Sequence, residues 1–141
     1  MQAEMAAAAA ETVRIVDGVT AEQLGDATLC TDWDVRALLS HIILWTAYSA
    51  EQRARGGSVA DELMTKDFVA EPGFAADYAK QASRAVEAWA DPVAWEREID
   101  VMGNPTPAAD IAALLIAEPV AVPADTPVFA QALALSGRQP S

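Results

Sequence analysis

The chain is predicted to be all-α: a four-helix arrangement with a short strand-like insert and an extended C-terminal tail. Three observations predict this. Alanine, the strongest intrinsic helix former, supplies much of the 52% hydrophobic share. Apolar residues recur at three- and four-residue spacing in several separate windows. Glycine and proline fall between those windows rather than inside them.

The first helix is expected from Ala3 to Val16, with Met5, Ala9, Val13 and Val16 on one stripe and Glu4, Glu11 and Arg14 off it. Asp17-Gly18 ends it, and the polar connector VTAEQLGDATLC crosses to the second helix at CTDWD. There Thr31 or Asp32 is the expected cap, and Asp34 adds negative charge at the positive end of the helix dipole. Val35, Leu38, Leu39, Ile42, Trp45, Thr46 and Ser49 are read as its buried side; Arg36, Ser40, Ala47 and Glu51 are read as facing outward. Gly56-Gly57 stops it. Loop follows to Pro72-Gly73, with a short helical turn around VADELM. The third helix, Phe74 to Ala90, carries a seam of Phe74, Tyr78, Ala82, Ala85 and Trp89.

AWEREIDV alternates weakly and suits one short strand or an extended arm before a Gly103-Asn104 turn. A fourth helix is expected to open at Thr106-Pro107, threonine capping and proline in the first position, and to run to Glu118 before Pro119. PVAVPADTP reads as extended, polyproline-like chain, and VFAQALALSG as a last short helix.

Residues 1–141 fit a single domain. A net charge of −12 opposes phosphate backbones and anionic lipid, so no nucleic acid and no membrane surface is expected as a partner. No stretch reaches the roughly 18 apolar residues of a membrane span. One cysteine cannot form an internal disulfide, and the start lacks a basic leader segment, so a cytoplasmic location is expected.

Two residues stand at odds with their surroundings. His41, the only histidine, falls at the flank of the apolar stripe, half-buried beside aromatic side chains. It reads either as a structural histidine or as a ligand or base. Glu118 lies on the inward stripe of its helix, in the last turn, where the dipole disfavours an anion. It either swings into water or needs a cation, a metal or a proton. An imidazole and a carboxylate from separate helices are two legs of a metal site, one short of the usual three protein ligands. Cys30, just ahead of a helix, reads as a small buried hydrophobe or as a reactive thiol.

The string ATLCTDWDVRALLSHI resembles the N-terminal motif of the DinB-like family that contains mycothiol-dependent maleylpyruvate isomerase. Cys30, Trp33, Val35, Arg36 and His41 match its Cys-x-x-Trp-x-Val-Arg-x-Leu-x-x-His pattern. The ending VPADTPVFAQALALSGRQP is similar to that group's closing segment. The resemblance implies an up-down four-helix bundle and a divalent metal, zinc or nickel, with His41 as first ligand and Glu118 as the acidic one. It also implies mycothiol as co-substrate, a small-molecule or thiol substrate, and isomerase or S-transferase chemistry. The chain departs from the family where Glu118 runs into Pro119 without the late His-Gly-Trp-Asp segment, so the implied site is reduced. The competing reading is a non-catalytic helical binding or dimerisation module, a homodimer being one form. Trp33, Trp45, Tyr48 and Trp89 would then line a core or pocket.

Overall fold

The computed structural model describes residues 2–115, which are mostly helical with one small two-stranded sheet. Helix α1 (Gln2–Asp17) lies along α5 (Phe74–Ala88). The second rod is a continuous helical run in three parts: α2 (Val35–Ile43), a π turn (Leu44–Tyr48) and α3 (Ser49–Ala54). It packs against α5 from the π turn onward. Short α4 (Asp61–Met64) interrupts the following loop, and α6 (Pro92–Glu96) leads into the sheet. Helix α7 (Ala108–Leu115) packs on α6 and touches α1. None of these helices is long and apolar enough to cross a membrane. Glu118, the tail and the final short helix expected from the sequence lie outside the described residues.

Two apolar clusters form the core. One joins Val16, Leu39, Ile43, Ala47, Phe68, Tyr78 and Ala82 across the three rods. The other centres on Trp89, completely buried, with Met5, Ala54, Ala94, Ile99 and Ile111 around it. The Trp89 indole N–H donates to the Ala50 carbonyl at 2.9 Å, so the largest core side chain leaves no buried donor unpaired.

The π turn changes which residues of the second rod face inward. The N–H of Ser49 donates to the carbonyl of Leu44, five residues back, instead of four. Such a turn takes up about one extra residue and rotates everything after it. Val35, Leu38, Leu39 and Ser49 are buried as expected, but the rest of the buried set is Ile43, Leu44, Ala47, Ala50, Glu51 and Ala54. Ala47 and Glu51, expected outside, are therefore inside, while Ile42, Trp45 and Thr46 are only partly buried.

The rod also begins later than expected. Thr31 and Asp32 sit in a turn closed by the Trp33 N–H on the Cys30 carbonyl at 2.9 Å. The cap is Asp34, whose carboxylate accepts from the Ala37 N–H at 2.8 Å.

The insert is a hairpin rather than one strand. β1 (Glu98–Val101) pairs antiparallel with β2 (Asn104–Pro107), Val101 opposite Asn104. The two-residue loop is Met102-Gly103, both with positive φ (54° and 86°), the handedness that a tight hairpin requires. Thr106-Pro107 thus belongs to β2, and the helix starts at Ala108, whose N–H donates to the Arg97 carbonyl at 2.9 Å. Proline fits an outer strand edge as well as a first helical turn, and pairing with β1 decides between them.

Candidate functional site

The motif stretch is held by its own hydrogen bonds. Asp26 and Leu24 carbonyls accept from the N–H groups of Val35 and Arg36 at 3.0 and 2.9 Å, which ties the connector to the start of α2. The Thr28 hydroxyl lies 2.6 Å from the Trp33 carbonyl and accepts from the Cys30 N–H at 3.0 Å. Val35 and Leu39 go into the core. Arg36 reaches Asp67 at 2.8 Å with both side chains exposed, and the Ser40 hydroxyl accepts from the Phe68 N–H at 3.1 Å. These contacts fasten the loop after α4 onto α2. A cleft of about 540 Å³ opens at this end, lined by Gly25, Thr28, Cys30, Asp32, Trp33 and Ala37 among others. Cys30 is a free, exposed thiol, not a core residue.

His41 is exposed, where the sequence pattern placed it half-buried. Leu39 and Ile43, two residues to either side, point into the core, so the residue between them is turned roughly 200° away. Its imidazole sits between two indoles: Trp33 at 4.8 Å between ring centroids and Trp45 at 6.1 Å, both tilted. Trp33 is itself an exposed aromatic, so the pair presents the imidazole at the surface.

From His41 a row runs down the second rod at four-residue spacing: His41, Trp45, Ser49, Arg53. The Arg53 guanidinium carbon lies 5.2 Å from the centroid of the Trp45 ring, a cation–π contact. Ser49 and Arg53 had no place among the sequence-derived candidates. Their signal was present as the spacing from His41, but the sequence marked Ser49 only as part of the buried side and gave Arg53 no role.

Around the rod from Arg53, buried Glu51 accepts from Gln81 Nε2 at 2.5 Å and from Arg55 and Arg84 at 3.1 and 3.2 Å. Burial pushes this carboxyl up; the hydrogen bonds from Gln81 and Arg55 and the charge of Arg84 outweigh it, and the net effect is a lowered pKa. Burial also pushes the Tyr78 phenol up to about 12, against a 2.7 Å hydrogen bond with the Thr46 hydroxyl. Both groups are fully engaged and join α5 to the second rod.

Among the described residues no three His, Cys, Asp or Glu side chains come together as a metal site. Asp34, the nearest acid in the motif, spends its carboxylate on the helix cap. The structure thus places His41 beside Trp33 and Trp45, leaves Cys30 in the neighbouring cleft, and has no description of Glu118.

A helical domain with one imidazole presented from a central helix, at the end of a Cys-x-x-Trp turn, is the class this geometry defines. The chain matches the family model described as the mycothiol maleylpyruvate isomerase N-terminal domain over residues 5–125, and it belongs to that family. No curated protein and no solved structure matches it.

Proposed function

We propose that this chain is a mycothiol-linked protein of the isomerase or S-transferase type, working at the His41 edge of the second rod. The observation that carries the reading is the surface imidazole held between Trp33 and Trp45, within the segment matched by the family model. Two indole faces give an apolar seat for a thiol-bearing or unsaturated small molecule, and the imidazole can accept or donate a proton beside it. Cys30, across the turn, borders the same end of the molecule.

The family's metal is a separate matter. A zinc or nickel ion held by His41 and Glu118 would take one ligand from the described residues, and Asp34 already accepts from the Ala37 N–H as the helix cap. The described residues do not by themselves fit a metal centre. The proposed architecture is the up-down four-helix bundle, with α1, the second rod, α5 and a fourth rod begun by α7. A free, exposed thiol at Cys30 supports a reducing, cytoplasmic setting.

Calorimetric titration of mycothiol into the native chain, with metal content measured on the same sample, tests the reading. Saturable binding that weakens about tenfold or more in His41→Ala is the expected result. Absence of both mycothiol binding and stoichiometric metal would end it. Exposed Leu29 (45%) and Trp33 (37%) favour a second reading, a non-catalytic binding or dimerisation module. A concentration-dependent dimer lost in Trp33→Ser would support that instead.

A further inference from the structure

A second cleft, of about 590 Å³, lies between α3, the turn after it and β1, away from the Cys-x-x-Trp turn. Trp45, Ser49 and Arg53 form one wall, Val59 stands on the turn, and Val101 and Met102 come from the hairpin. Two features of this cleft are unexplained by folding. Arg53 is half-buried yet has no carboxylate partner among the described residues, whereas Arg14, Arg36, Arg55 and Arg84 all have one. The Ser49 hydroxyl is completely buried, borders the cleft and has no hydrogen-bond partner among the described residues.

In a chain of net charge −12, a cation withdrawn from water without a counterion is the anomaly. Loss of solvent pushes the Arg53 guanidinium below the ordinary arginine value, so the protein bears a cost there that an anion would offset. Trp45 holds the Arg53 guanidinium carbon by a cation–π contact, and the N–H fork of an arginine matches a carboxylate. Val59, Ile99, Val101 and Met102 supply apolar wall. Glu98 and Asp100 also border the cleft; their charge opposes any anion and a doubly charged one most, so a single carboxylate is favoured over a dianion.

We infer that this cleft binds a small monocarboxylate with an apolar body, the carboxylate on Arg53 with the Ser49 hydroxyl beside it, the body against Val59, Val101 and Met102. The site is distinct from the His41 edge and touches it only through Trp45, which contacts both His41 and Arg53. It stands whether or not mycothiol binds.

Benzoate is the probe. Titration into the full chain, followed by NMR, is expected to give saturable shifts of the Trp45 indole N–H and the Arg53 Nε–H. Affinity is expected to fall about tenfold or more in Arg53→Gln, and to fall by less in Arg53→Lys, which keeps the charge and loses the planar fork. Inorganic phosphate and benzylamine, a second charge and the opposite charge, are expected to leave those resonances unmoved. No saturable benzoate binding overturns the inference, and so does equal binding by Arg53→Gln or by benzylamine. The paired resonance shifts on the native chain decide the matter even if a variant fails to fold. His41→Ala is expected to leave benzoate binding within about twofold, which separates this site from the mycothiol reading.

Discussion

Two faces of α3 carry charged side chains and treat them in opposite ways. On one, Glu51 is almost fully buried, and Gln81, Arg55 and Arg84 converge on its carboxylate from two helices. On the other, Arg53 is half-buried against Trp45 and, among the described residues, has no carboxylate partner, beside a buried serine hydroxyl with no hydrogen bond there. A buried charge with its hydrogen-bonding capacity filled serves the fold; one left open is a standing cost that something outside the fold must relieve. The contrast teaches where to look for a ligand on an otherwise ordinary helical protein. The Trp89 cluster extends the closed side of the comparison. There even the ring N–H groups are matched, Trp89 to Ala50 and Trp95 to the Trp89 carbonyl at 2.7 Å.

The largest effect should come from the closed side. Trp89→Ala removes the side chain at the centre of the second cluster and should lower unfolding free energy by about 3–5 kcal/mol, read by chemical denaturation. A loss under about 1 kcal/mol would mean that this cluster does not act as a core.

Glu51→Gln comes next, at roughly 1–3 kcal/mol near neutral pH, because Gln81 and the two arginines lose a charged acceptor. The sign of its pH dependence follows from the lowered pKa. The folded carboxyl titrates below its unfolded value of 4.5, so its contribution is complete above that pH and disappears as pH falls through the folded value. Denaturation curves from about pH 6 to about pH 3 should therefore show the gap between wild type and Glu51→Gln closing on the acid side. A gap that widens in acid would contradict the assignment of Glu51 as the stabilising anion.

On the open side, Arg53→Gln should change unfolding free energy by less than about 1 kcal/mol, the worth of one cation–π contact at a partly exposed site. If it destabilised as much as Glu51→Gln, the two faces would not differ, and Arg53 would be a structural residue. The smallest effect is expected at Arg36→Ala. Its ion pair with Asp67 is 44% exposed at both ends and worth about 0–1 kcal/mol, lost progressively in salt.

Much of this molecule was legible in its residues. α1 and α5 fall where apolar spacing put them, because each has an uninterrupted stripe, and the second rod ends where expected, at Gly56 with φ +78°. The motif that names the family was legible for the same reason that it folds locally. Its cysteine, tryptophan and aspartate close a turn through near neighbours in sequence. The hairpin was half legible. Alternation in AWEREIDV marked a strand or arm, of which Glu98–Val101 becomes β1 while Ala94, Trp95 and Glu96 belong to helix α6; Asn-Pro-Thr-Pro has no strand signature and becomes β2 by pairing with β1.

What the sequence determined by itself is the longer helices, their ends to within a few residues, and the Cys-x-x-Trp turn that leads into the helix of His41, since all of these rest on interactions within a few residues along the chain; α6, where a strand or extended arm was expected, is not among them. What only the tertiary structure decided is which way the second rod faces after Ile43. The five-residue hydrogen bond from Ser49 to Leu44 falls where the rod meets α5, a contact between segments far apart in sequence that local patterning does not contain. That single turn sends Glu51 into the core and leaves Arg53 over Trp45 at a cleft, and so separates the part of α3 that holds the fold from the part offered to a ligand.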